Sequence, residues 1–130
     1  MSATNAIGLE KEKSLELADK LNDLLANYTI YYMNVRGFHW NIKGRKFFEL
    51  HVKFEELYDD LLLKIDEIAE RIVTLEVTPL HSYEDFLKIS DIRPVKNVSD
   101  GDEAVRGILY GMQTLIAKQR VVLDLSDELN

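Results

Sequence analysis

The sequence predicts an all-helical fold: a bundle of long helices with a short helix in its central crossover, and with the fourth long helix missing from the chain. Three observations predict it. Apolar residues recur at three- and four-residue steps through three long stretches, about 10–42, 47–75 and 99–125. A long segment, about 76–98, separates the second stretch from the third, which is too much chain for a simple up-and-down hairpin. Nowhere does the chain show the strict alternation of a half-buried strand, and it has no internal repeat.

Each element has its own signals. Residues 1–8, MSATNAIG, are small and unpatterned and read as a mobile tail. The first helix runs from about residue 9 or 10 to Ile42, with Leu17, Leu21, Leu24, Tyr28, Tyr31 and Val35 on its apolar side. Gly44 stops it, among Lys43, Arg45 and Lys46. The second helix spans about Phe47 to Leu75, with a wide apolar side suited to more than one neighbour. In the crossover, Ser82 and Asp85 have capping-box spacing and predict a short helix to about Ile89, closed off by Pro94. The third long helix starts at Ser99, with Asp102 at the capping-box position, and runs to Asp124 or Leu125. Gly107 and Gly111 lie one turn apart in it, and a close helix contact would explain them. Three long helices alone leave an apolar side open, so a partner or a further helix is expected to cover it.

Composition narrows the function. The 130 residues make one domain of ordinary soluble composition, 46% hydrophobic and 30% charged. With no cysteine there is no disulfide, thiolate zinc site or iron–sulfur cluster. No apolar run resembles a signal peptide or a membrane span, so a cytoplasmic location without membrane contact is the default expectation. The net charge of −7 favours cations and disfavours bare phosphate, so DNA binding is a weakly supported alternative. Lys11 and Lys13 alternate with Glu10 and Glu12, which reads as a solvated helix start.

The chemistry concentrates in residues 36–71. Successive residues of a helix turn by about 100°, which puts His51, Glu55, Asp66 and Glu70 at roughly 0°, 40°, 60° and 100°, on one side of the second helix. Imidazole with carboxylate is a ligand set for iron, manganese or zinc. Yet His51 and Asp66 are roughly 22 Å apart along the axis, so one ion cannot touch both. Either the two ends are unrelated, or a second copy of the helix runs antiparallel beside the first about a two-fold axis. Taken alone, Asp66 and Glu70 read as a solvated face with Lys64 or Arg71 as pairing partners, and His39 as a satisfied interface histidine. His81 lies in the crossover and reads as a surface residue.

Three blocks, FHWNIKG at 38–44, FFELHVKFEELYDD at 47–60 and IDEIAERI at 65–72, closely resemble the Dps family of the ferritin-like superfamily. The resemblance runs from about Tyr28 to Asp124. It implies a four-helix bundle with a short crossover helix, twelve of which form a hollow shell. It implies a ferroxidase centre across a two-fold interface, oxidising Fe(II) with hydrogen peroxide or dioxygen, storing the ferric mineral and protecting against oxidative stress. By motif the ligands are His39, His51, Glu55, Asp66 and Glu70, where the family commonly has Asp at the Glu55 position. Trp40 adjoins a ligand and, with Tyr28, Tyr31, Tyr32 and Tyr58, is a candidate to quench stray oxidising equivalents; for the tyrosines, core packing is the better reading. The chain departs from the family in its missing fourth helix, in the residues Glu76-Val77 where a glycine is common, and in having no lysine-rich tail. The absence of Glu-x-x-His motifs argues against a conventional ferritin centre. The rival readings are a DNA-protecting oligomer with little catalysis, a purely structural helical protein, and a site for zinc, manganese or another divalent metal.

Overall fold

The computed structural model describes Gly8 and residues 10–129, so most of the expected mobile tail lies outside the described residues. The described elements are four helices: α1 over Lys11–Asn41, α2 over Phe47–Thr74, α3 over Tyr83–Ile89 and α4 over Gly101–Leu129. No strand is among them, and none of the four is long and apolar enough to cross a membrane.

α1 is the hub. α2, α4 and α3 all pack on it, while α2 and α4 barely touch each other. A helix with neighbours on three sides must be apolar almost all round. α1 accordingly buries Leu17, Leu25 and Val35 as well as Leu24, Ile30 and Phe38. α2 contributes Phe54, Tyr58, Leu61 and Ile72 to the same core, and α4 contributes Ala104, Ile108 and Leu115.

The helix ends follow local chemistry. α1 stops at Asn41, and Gly44, at φ 102°, turns the chain into α2. Only glycine occupies that region without a steric penalty. α2 ends in a Schellman motif, in which Val77 N–H donates to Ile72 O at 3.3 Å and Glu76 N–H to Val73 O at 2.9 Å. Glu76 takes the left-handed position, at φ 65°, that glycine would occupy without strain. The Ser82 hydroxyl accepts from Asp85 N–H at 3.2 Å, as the spacing predicts, and starts α3.

The start of α4 differs from expectation. Asp100, not Ser99, is the capping residue: its carboxylate accepts from Glu103 N–H at 3.0 Å. Ser99 instead gives its carbonyl to Lys43 N–H, at 3.0 Å, across to the α1–α2 turn. Both side chains suit the role, so spacing alone could not choose. α4 also continues to Leu129, past the expected stop near Leu125, because Leu125 and Leu129 still pack against the core.

Two glycines on α4 admit aromatic rings from α1. A methyl group at Gly107 would come 2.9 Å from Cζ of Phe38, and one at Gly111 would overlap the Tyr31 ring. Through that gap the Tyr31 hydroxyl reaches Ile108 O at 2.8 Å. The expected close contact is therefore made by rings entering the gaps.

The crossover is tied to α1 by asparagines. Asn27 is fully buried, and its carbonyl accepts from Asp91 N–H, Ile92 N–H and the Ser90 hydroxyl at 3.0–3.2 Å. Asn34 donates to Arg93 O and accepts from Val95 N–H, both at 2.9 Å. Asn22 accepts from Leu80 N–H at 2.9 Å. Extended backbone has no partner of its own, and these side chains supply one. Lys118 of α4 adds a three-way tie, with Nζ 2.8 Å from Asp23 and 2.6 Å from Asp91.

Candidate metal centre

His39 lies in the last turns of α1 and His51 in the first turns of α2, so the Gly44 turn folds one against the other. Their rings stack at 3.7 Å between centres with planes 17° apart. Each imidazole bonds the backbone of the other: His39 Nδ1 to His51 O at 2.7 Å, and His51 Nδ1 to His39 O at 2.9 Å. A carbonyl oxygen only accepts, so both Nδ1 atoms carry the proton. In the neutral form of each ring, Nε2 then keeps its lone pair for a cation. A backbone carbonyl that orients an imidazole in this way is a recurrent support of metal-binding histidines.

Glu55 completes the group. It stands one turn beyond His51 on α2, and its Oε1 lies 3.8 Å from His39 Nε2. One ligand atom from each of His39, His51 and Glu55 lies within 4.8 Å of the others, the one such group among the described residues. His39 is buried, His51 half-buried and Glu55 exposed, which leaves the group open on one side. The walls are aromatic. Phe47 stacks on the far face of His51 at 5.0 Å, and Tyr58 meets the His39 ring edge-on at 5.2 Å.

Asp66 and Glu70 are not in that group. They lie further along α2, both exposed, and neither is within ion-pair distance of a cation among the described residues. Lys64 reaches back to Asp60, at 3.5 Å, rather than to Asp66. Within one chain, then, three of the five sequence-predicted ligands come together and two stand apart. His81 is exposed and bonded to Pro79 O at 3.0 Å, as a surface histidine.

Trp40 is 61% exposed and lies under the Arg36 guanidinium, whose carbon is 5.2 Å from its ring centre. The same cation sits 4.4 Å over Tyr58 and 5.9 Å from Tyr32, and Nη1 donates to the Tyr32 hydroxyl at 3.1 Å. Sequence reasoning missed Arg36. Its signal was the run of Tyr32, Arg36 and Trp40 at four-residue steps, which puts all three on one face of α1. Tyr28 and Tyr31 belong to the core, where burial pushes both phenols up from their ordinary pKa.

Comparisons with known proteins agree on the relationship. A ferritin-like domain model matches residues 18–130. An uncharacterized protein of Haemophilus influenzae is 52% identical over 130 residues, all of this chain and 81% of that protein. A DNA protection during starvation protein of Porphyromonas gingivalis is 36% identical over 121 residues, 93% of this chain and 76% of the relative. Among solved structures, a Dps protein from Vibrio cholerae, described as one of the ferritin-like diiron-carboxylate proteins, superposes with a TM-score of 0.96 at 50% identity. The match covers 99% of this chain and 81% of that one. A Dps protein from Bacillus brevis superposes with a TM-score of 0.86 at 31% identity, covering 90% and 78%.

Proposed function

The chain belongs to the Dps family of ferritin-like proteins, whose general work is iron storage and protection, and from that premise we propose that it oxidises Fe(II) at sites shared between two copies of itself. His39, His51 and Glu55 come from one copy, and Asp66 and Glu70 from the other. The observation that carries this reading is the symmetry of α2. His51 pairs with Glu70, and Glu55 with Asp66, about a midpoint between Asp60 and Leu61. Phe48 pairs with Val73 about the same point.

The apolar residues on that face support the same arrangement. Phe48 is 80% exposed, Leu63 65% and Val73 59%, and Val52 and Leu62 are about half exposed. At about 100° per residue they share one side of α2 with the four ligands, away from the side that packs on α1. A soluble protein seldom leaves such a side bare. An antiparallel copy would cover it and bring the separated ligands together, and a shell of twelve such chains is the assembly we propose.

Iron is the substrate. The imidazoles and carboxylates bind Fe(II), and carboxylate oxygen favours the harder Fe(III) product. Two Fe(II) ions each give one electron to hydrogen peroxide. The O–O bond breaks, two protons are taken up and two waters leave. Because both electrons go to one peroxide, no hydroxyl radical is released, and DNA is protected by removing the reagents that damage it. That indirect protection suits a chain of formal charge −7 better than phosphate binding does. Location in the cytoplasm, where these reagents arise, belongs to the same proposal. Replacing Asp66 and Glu70 together by alanine is expected to abolish fast peroxide-dependent oxidation of Fe(II), followed by ferric absorbance. Unchanged kinetics would overturn the assignment.

A further inference from the structure

Arg36 carries a charge that the ligand set does not account for. It is half-buried on α1, and among the described residues no carboxylate oxygen lies within 4.0 Å of it. Three aromatic faces and one phenol oxygen hold it instead. It also lies near the candidate metal centre. The guanidinium carbon is 4.4 Å from the Tyr58 ring centre, which is 5.2 Å from that of His39. Cation and imidazole are thus less than about 10 Å apart, a range over which unit charges still interact.

A fixed positive charge beside a cation site opposes binding, and the opposition grows with the charge of the ion. Fe(III) feels it more than Fe(II). The imidazoles and carboxylates pull the other way and would by themselves hold the ferric product most tightly. We propose that Arg36 is an electrostatic positioning residue, placed to keep the centre from retaining Fe(III), so that the centre turns over instead of filling. The inference rests on the ferroxidase reading above. Its predicted signature is that loss of the charge tightens binding yet slows repeated turnover.

The test compares Arg36→Gln and Arg36→Lys with the unaltered protein in its assembled form. Anaerobic titration with Fe(II), and separately with Co(II), measures affinity. Peroxide is then added in steps to follow the first and later rounds of oxidation. Arg36→Gln is expected to bind both ions more tightly, on the order of fivefold at the dielectric of water. Its Fe(III)/Fe(II) potential should fall, and its later rounds should slow relative to its first. Arg36→Lys, which keeps the charge, should restore all three. Equal Co(II) affinity in Arg36→Gln and the unaltered protein would overturn the inference, as it would if a carboxylate of a neighbouring copy neutralised Arg36. So would failure of Arg36→Lys to rescue, which would make Arg36 a mere wedge between Tyr58 and Trp40. Absence of iron oxidation in the unaltered protein would instead overturn the ferroxidase reading. The Co(II) comparison would still decide the role of Arg36.

Discussion

Mixing two inactive variants reads directly whether the centre is divided between chains. One variant carries His39→Ala and His51→Ala, and the other Asp66→Ala and Glu70→Ala. Along α2 the two halves are roughly 22 Å apart, so a single chain cannot close them on one ion. In a two-fold pair each centre takes imidazoles from one chain and carboxylates from the other. A pair of like variants has two damaged centres. A mixed pair has one centre altered in both halves and one wholly intact. Random pairing makes about half of the pairs mixed, so about a quarter of all centres are restored. Co-expression at equal levels, with mixing verified by native mass spectrometry, should therefore return the peroxide-dependent oxidation rate to about a quarter of the unaltered value. Away from equal proportions the recovery should fall as the product of the two fractions. A centre built within one chain recovers nothing at any ratio. Zero recovery in verified mixed assemblies would refute the reasoning, as would near-normal activity of the carboxylate variant alone.

Other consequences concern stability. Asn27→Ala leaves the Asp91 and Ile92 amides without their acceptor, while the Ser90 hydroxyl keeps Ile92 O, and should cost about 2–4 kcal/mol by chemical denaturation. A loss under 1 kcal/mol would mean that water takes over the role. Gly111→Ala drives a methyl group into the Tyr31 ring and should cost about 1–3 kcal/mol. Tyr31→Phe in the same background should leave that loss in place, because the ring and not the hydroxyl meets the methyl group. Burial raises the pKa of Tyr31 above 10.0, so the folded state resists its ionisation while the unfolded chain does not. Lys118 is pulled down by burial but raised on balance by Asp23 and Asp91. Both groups keep their full contribution below their ordinary pKa and lose it as pH rises. Stability should therefore hold near pH 9 and fall above about pH 10. Tyr31→Phe should flatten part of that fall.

The helices were legible because their signals are local. Gly44, the Ser82 cap and the three-and-four spacing of leucines each act within a few residues, and the structure agrees with all of them. The candidate metal centre was legible only in part. Helix spacing put His51 and Glu55 on one side of α2, but His39 joined them only through the family resemblance, and the backbone bonds between the histidines leave no mark in the residue types. The choice of Asp100 over Ser99 as cap was not legible for a similar reason: both side chains suit the role, and the bond from Lys43 N–H to the Ser99 carbonyl comes from a distant turn. Nothing in their local sequence marks the asparagines at 22, 27 and 34 as ties to another segment. Their meaning depends on a crossover more than fifty residues away in sequence. Arg36 was passed over because a cation held by rings has no charge partner to announce it.

The crossed bonds between His39 and His51 also bear on the proposed metal binding. Together with residues 40–50 they close a small ring of chain before any ion is present. Closing a flexible loop of twelve residues costs about 2 kcal/mol in chain entropy, beyond a fixed term. Here folding has already met that cost, and about 2 kcal/mol is a factor of about thirty in a dissociation constant. The ring also makes the two histidines a single mechanical unit. Removing one imidazole breaks its own bond and leaves the other ring bonded to a backbone carbonyl, so the loop opens only in the double alanine variant, which should lose more than the two single variants together. In a double-mutant cycle the pair would show strong coupling even with no ion in the solution.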